Sequence, residues 1–166
     1  MTTAPVISGD RVRLRPHVMS DMETFWTFFQ SQRAEHTDKP ENRTHAWYGF
    51  ASEVGSWALN GTGSWAIDVE GTLAGQVSVT QPPHFPELEL GWILFDGFEG
   101  RGIAYEGASL ALDYTWAAIR PTSLVSYIDH RNARSITLAK RLGAVLDPDA
   151  AKYDDVDVVF RHRRPQ

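Results

Sequence analysis

Glu99-Gly-Arg-Gly-Ile-Ala-Tyr-Glu-Gly107 stands between two stretches of different periodicity. Before it, Glu87-Leu-Glu-Leu-Gly-Trp-Ile-Leu94 alternates as a strand does; after it, Ile103 to Ile119 reads as one long helix, stopped by Arg120-Pro121. Two glycines two apart let the backbone turn tightly and aim several N–H groups into one concavity. The helix that follows adds the positive end of its dipole, so an anion such as pyrophosphate fits the turn. Arg101 would add a charge-assisted contact. A Walker loop is excluded, because no Gly-Lys-Ser/Thr follows. A dinucleotide turn is excluded too: Tyr105 stands where the third glycine belongs, and the strand before it follows a hairpin.

Working outward, Ser64–Val69 and Thr72–Val79 form a hairpin about Glu70-Gly71, and Gln81-Pro-Pro-His-Phe-Pro86 is a proline-bound loop. Further upstream, Arg11-Val-Arg-Leu-Arg15 is a strand that buries Val12 and Leu14 and ends at Pro16. Ser20 and Glu23 have the spacing of a capping box, ahead of a helix with Met22, Phe25, Trp26 and Phe29 inward. Residues 31–42 are a polar loop, and a second helix over 43–59 turns Trp47, Phe50, Val54 and Trp57 to the core. Downstream come a strand at 123–128, a helix at 132–142 closed by Gly143, and a last strand at 156–161. The order is β-α-α-β-β-β-α-β-α-β. No repeat, linker or low-complexity segment interrupts it, so residues 1–166 are expected to form one α/β domain.

A chain of 166 residues holds one ordinary domain and buries roughly 70% of its unfolded surface, so it needs no staples. No run approaches 18 apolar residues, and the start, MTTAPVISGD, does not read as a secretory signal. A cytoplasmic location is expected. There is no cysteine, which removes disulfides, thiolate metal sites and cysteine nucleophiles. The six histidines show no metal-ligand spacing. A net charge of −5 argues against nucleic acid or an anionic membrane as partner and leaves something small or cationic.

The constellation Glu89-Leu-Gly-Trp-Ile-Leu94, Gly100-Arg-Gly-Ile-Ala-Tyr-Glu106, Asn132-Ala-Arg-Ser135 and Lys140-Arg-Leu-Gly143 resembles the GNAT superfamily of acetyl-CoA-dependent N-acetyltransferases. Within it, the chain looks most like the branch that acetylates ribosomal-protein N-termini. The resemblance runs over essentially the whole chain. It implies a mostly antiparallel sheet split in a V around the cofactor, with helices on both faces. In the family's phosphate loop, Gln/Arg-x-x-Gly-x-Gly/Ala, Gly102 and Ala104 match, while Glu99 is a departure at the first position. By the same resemblance, backbone groups of Ile93 and Leu94 pair with the pantetheine arm. Backbone N–H groups of Arg101, Gly102, Ile103, Ala104 and Tyr105 hold the pyrophosphate, and Asn132, with Ser135 close by, contacts the arm or the phosphates. Asn132 also reads simply as a helix cap.

Without cysteine, acyl transfer is expected to run directly from thioester to amine, and the amine must be neutral to attack. About a tenth of an α-amine is neutral at pH 7; a lysine amine lies about 2.4 units higher, about 3 kcal/mol more. Glu89, matching the family's Glu-x-Gly-aromatic pattern, is the candidate base, acting through a water. Its other reading is a cross-strand partner for an arginine, and Glu87 is the fallback base. A backbone N–H near Leu94 would steady the developing oxyanion. Many relatives carry a tyrosine that protonates the leaving thiolate; Ala139 stands at that position, which leaves Tyr105, Tyr127 or unassisted departure. Arg161-His-Arg-Arg164 reads as a solvated tail.

Loops 31–42 and 81–86, with His36 and His84, are expected to flank the acceptor, a protein N-terminus or a small amine. A non-catalytic acyl-CoA sensor and a phosphate-binding module unrelated to CoA are the competing classes. A homodimer is left open.

Overall fold

The computed structural model describes residues 3–165; Met1, Thr2 and Gln166 lie outside the described residues. Its elements in chain order are β1 (Ile7–Ser8), β2 (Arg13–Arg15), α1 (Asp21–Phe29), α2 (Arg43–Asn60), β3 (Gly63–Val69), β4 (Thr72–Thr80), β5 (Glu89–Leu94), α3 (Ile103–Tyr114), β6 (Val125–Asp129), α4 (Ala133–Arg141), β7 (Val145–Leu146) and β8 (Asp157–Arg161). The strands make one sheet in the order β1-β2-β3-β4-β5-β6-β8-β7. It is antiparallel except where β5 meets β6. The α/β architecture expected from the sequence is present. It gains β1 and β7, each two residues long and too short to show a period.

Alternation along β3 and β4 assigns the two faces. Trp65, Ile67, Val77 and Val79 turn to α3, where Ala108 and Ala111 meet them in the main apolar cluster. Trp65 is fully buried, edge-on to Trp57 of α2 at 4.5 Å and to Tyr114 of α3 at 5.5 Å. Each such ring buries about 200 Å², on the order of 5 kcal/mol before the entropy of ordering it. The other face carries Leu73, Gln76, Ser78 and Ile93 and is covered by α1 and α2. There Phe25, Phe28 and Phe95 form a second cluster.

Local chemistry departs from the sequence expectation at several places. Ser20 makes no side-chain cap on α1. Asp21, the first helical residue, instead reaches back to accept from the Val18 N–H at 3.0 Å ahead of the helix; burial opposes its charge, but contacts from His17 and from Arg15 at 2.8 Å hold its carboxyl well below the usual range. Trp47 is 44% exposed rather than buried, because α2 packs through the face of Ala46, Phe50 and Trp57, roughly a quarter-turn round the helix from it. The helix after Ile103 does continue to Ile119, but its last turn widens. Arg120 N–H reaches back to the Thr115 carbonyl at 2.8 Å, and Arg120 itself adopts φ 55° before Pro121. Nor is the C-terminal basic run a free tail, since Arg161 lies in β8 and His162 is buried.

Candidate active site

Among the described residues, β5 and β6 share one registered pair, Glu89 with Val125, and diverge beyond it. The sheet is therefore open between them, and a cavity of about 690 Å³ occupies the gap and the space beneath α1 and α2. Strand alternation decides which backbone groups face it. Phe95 N–H donates to Ala74 of the β4 side, whereas the Leu88 carbonyl accepts from Val125 on the β6 side. Odd-numbered residues of β5 thus spend their backbone on β4. The N–H and C=O groups of Trp92 and Leu94 point into the gap. Ile93, expected to offer its backbone to the gap, presents its side chain there instead, and it is Trp92 beside Leu94 whose backbone groups are free toward it. The Leu94 carbonyl is already held by Arg33, at 3.0 Å from Nη2.

At the end of β5, Gly100 and Gly102 take φ 70° and 74°, the left-handed region that glycine enters without strain. Gly102 opens α3, and the first hydrogen bond of the helix runs from Glu106 N–H to its carbonyl. The N–H groups of Ile103, Ala104 and Tyr105 consequently have no partner within the helix. Arg11 lies across this turn. Its Nη1 donates to the Arg101 carbonyl at 2.5 Å, and its Nε pairs with Glu106 at 3.1 Å. The Arg11 side chain is more than half exposed beside the helix start, though one side of its guanidinium is paired with Glu106. Glu99 points to Arg33, with which it forms an ion pair, so the acid at the loop's first position is neutralised beside the turn.

Glu89 lies at the mouth of the gap, accepting from Tyr127 N–H at 3.3 Å. Gly91 follows it on the same face; a Cβ there would come within 3.4 Å of the carboxylate, so the missing side chain keeps space around it. Burial pushes Glu89 up to about 8, and the carboxylates of Glu53, Asp157 and Asp38 add to the rise. Glu53, on α2 across the cavity, is pushed up to about 7 by burial despite the 2.6 Å hydrogen bond from Gln76. Glu35, Asp38, Asp129, Asp154 and Asp157 also line this space, against Arg131 and no lysine.

Residues 11–145 match the family model of the GNAT acetyltransferase domain. An acetyltransferase from Agrobacterium tumefaciens str. C58 is 34% identical, with 98% of this chain and 96% of that one covered and a TM-score of 0.93. The chain is a GNAT acetyltransferase. Two less similar structures share its fold. RimL, the ribosomal L7/L12 alpha-N-protein acetyltransferase, solved in complex with coenzyme A, is 17% identical over 96% of this chain and 98% of its own, TM-score 0.77. A GNAT-family acetyltransferase from Bacillus anthracis is 14% identical over 95% of each chain, TM-score 0.71.

Within this GNAT frame the remaining sequence candidates divide. Asn132 caps α4, its side chain accepting from Ser135 N–H at 3.1 Å, and also lines the cavity. Ser135 Oγ lies 3.3 Å from Trp92 Nε1. Glu87, the fallback base, lies outside the cavity, clamped by the two terminal nitrogens of Arg161 at 2.8 and 2.9 Å, which hold it below the usual carboxylate range. Tyr105 is exposed beneath Arg141, away from the cavity, while Tyr127 lines it with its hydroxyl 3.0 Å from Glu87 N–H. Ala139 is fully buried among Ile128, Ala144 and Phe160. Of the two loops, residues 35–38, Pro40 and Phe85 line the cavity, with His36 Nδ1 3.3 Å from Asp129; His84 packs behind, against Phe85 and Tyr153.

Sequence reading missed Arg11, Glu53 and the segment from Tyr153 to Asp157. A signal existed for Glu53, which sits three residues after Phe50 and four before Trp57, a carboxylate on the inward stripe of its helix. For Asp157 none existed, because its place depends on β8 pairing with β6 rather than on local pattern.

Proposed function

We propose that this acetyltransferase moves an acetyl group from acetyl-CoA directly to a primary amine, with Glu89 accepting the amine's proton. The observation that carries this reading is the half-buried Glu89 carboxylate at the point where β5 and β6 part. A group pushed up to about 8 is matched to an amine's proton near neutral pH. The residues fit acetyl-CoA at both ends. The N–H and C=O groups of Trp92 and the N–H of Leu94 suit an amide-bearing arm laid along the open edge. The N–H groups from Ile103 to Tyr105, with the Arg11 guanidinium, suit a diphosphate.

In the reaction the nitrogen bonds to the acyl carbon and the carbon–sulfur bond breaks. The amine's proton passes to Glu89, and the thiolate departs to take a proton from solvent. Leu94 N–H is the donor for the developing negative oxygen. The buried Ala139 supports departure without a tyrosine, since a thiolate of pKa near 8.5 is a tolerable leaving group. Asn132 and Ser135 shape the wall of the arm's channel.

Thiol release with a panel of amines tests the reading. Glu89→Gln should lower kcat by about 10²-fold while leaving the acetyl-CoA KM within about threefold. A variant that keeps full turnover across pH 6 to 9 would remove Glu89 from the role.

A further inference from the structure

We propose that the acceptor is a small amine with a second positive charge, a diamine or longer polyamine, whose far ammonium group rests against Asp157. This rests on the transferase reading above and narrows it to a substrate class. Asp157 on β8 stands directly opposite Asp129 on β6, and both residues line the cavity. Like charges in that position destabilise a strand pair unless something answers them. Asp129 is answered: Arg131 reaches it at 2.6 and 3.0 Å and His36 at 3.3 Å.

Asp157 is not. It is 8% exposed, and its Oδ2 is buried without a hydrogen-bond partner. Lys152, the nearby cation, spends its ammonium on the backbone carbonyls of Asp155 and Asp157, at 2.8 and 2.9 Å. A buried carboxylate with no donor is costly, and an ammonium group from a ligand removes that cost. Asp38 and Asp154 border the same end of the cavity.

The span between the two ends suits a flexible chain. Glu89 and Asp157 are separated by two strand spacings across the sheet and by the four residues from Val125 to Asp129 along it, on the order of 16 Å between backbones before the two side chains reach inward. Between them Phe85 and Tyr153 stack at 4.5 Å with Tyr127 edge-on to both, an aromatic wall against which methylene groups can lie. One nitrogen then meets Glu89 and is acetylated; the other stays charged at Asp157. A protein N-terminus offers no fixed second charge at that distance.

The test titrates the CoA-loaded full chain, by calorimetry, with α,ω-diamines of rising length and with n-alkylamines of equal length. This reads charge selection without turnover. The best diamine should bind at least about tenfold more tightly than its monoamine, the effect of one partly buried charge pair. Asp157→Asn should shrink that ratio to about threefold or less, and Asp38→Asn, in an exposed loop, should reduce it in part. Equal affinities in the native protein overturn the proposal. So does an Asp157→Asn protein that keeps the full ratio, or tighter binding of N-terminal peptides than of any diamine. Thiol release assayed in parallel separates the two readings. Diamine selection without acetylation of any amine refutes the transfer reading alone; acetylation with no diamine preference refutes this one alone.

Discussion

Arg33 and Glu99 form an ion pair that ties the turn after α1 to the turn that opens α3, and the same guanidinium holds the Leu94 carbonyl. One side chain thereby joins a loop that borders the cavity, the end of β5 and the glycine turn proposed to hold the diphosphate. Glu99, the departure from the family's loop pattern, is the partner that makes this link possible. Arg33→Ala should cost about 1–3 kcal/mol of stability, since it strands a carboxylate and a carbonyl together. Chemical denaturation would show it as a lower midpoint. The acetyl-CoA KM should rise more than kcat falls, because the turn loosens while Glu89 is untouched.

The raised carboxyls give activity and stability opposite dependences on pH. Glu89 accepts a proton in its ionised form, so kcat should climb as pH rises through about 8. For stability, a carboxyl whose folded pKa is raised binds more protons folded than unfolded. Glu89 near 8, Glu53 near 7 and Asp157 near 6 therefore all favour the folded state below their ordinary values and lose that contribution as pH rises to 8. Glu87, Asp21 and Asp129 are lowered and act in the usual direction, below pH 5. Melting temperature should thus fall from pH 5 to 8 while turnover rises. Glu89→Gln should flatten both slopes; a melting temperature that climbs over this range contradicts the assignment.

Arg11 offers the cleanest probe of the diphosphate site proposed at the glycine turn. Arg11→Ala should raise the Kd for acetyl-CoA about fivefold, a charge-assisted contact at an exposed site. The loss should shrink as salt rises, because the guanidinium is exposed and screened. Calorimetry at two ionic strengths reads both effects. An affinity unchanged at low salt would mean that the guanidinium serves only to hold Glu106.

How much of this was legible in the sequence depends on where each residue's partners lie. Val12 and Leu14, the hairpin about Glu70-Gly71 and the glycine turn at 100–102 declare themselves through neighbours within a few positions. The fold followed from them. Glu89 was found through its place in a motif, but part of its raised pKa comes from the carboxylate of Glu53 on α2, thirty-six positions upstream. Trp47 misled because a helix with aromatic residues at 47, 48, 50 and 57 permits more than one inward face, and only packing against β3 chooses. Asp157 was invisible: a strand of alternating Asp and Val says nothing about which aspartate it will oppose.

Ala139 decides whether a missing tyrosine matters. In the structure this position is fully buried, packed with Ile128 and Ala144 beneath β6 and β8, and it does not line the cavity. A phenol placed there would have to displace the core rather than reach the departing sulfur. Ala139→Tyr should therefore destabilise the protein by about 1–3 kcal/mol through overpacking, and leave kcat unimproved where the variant folds. A compensating Phe160→Ala would supply volume and tests whether the loss is steric: stability should recover in part, and turnover should still not rise. An increase in kcat with the pH profile shifted upward, as a tyrosine acid would give, would show that α4 can turn this position toward the sulfur, and the unassisted departure of the thiolate would then be wrong.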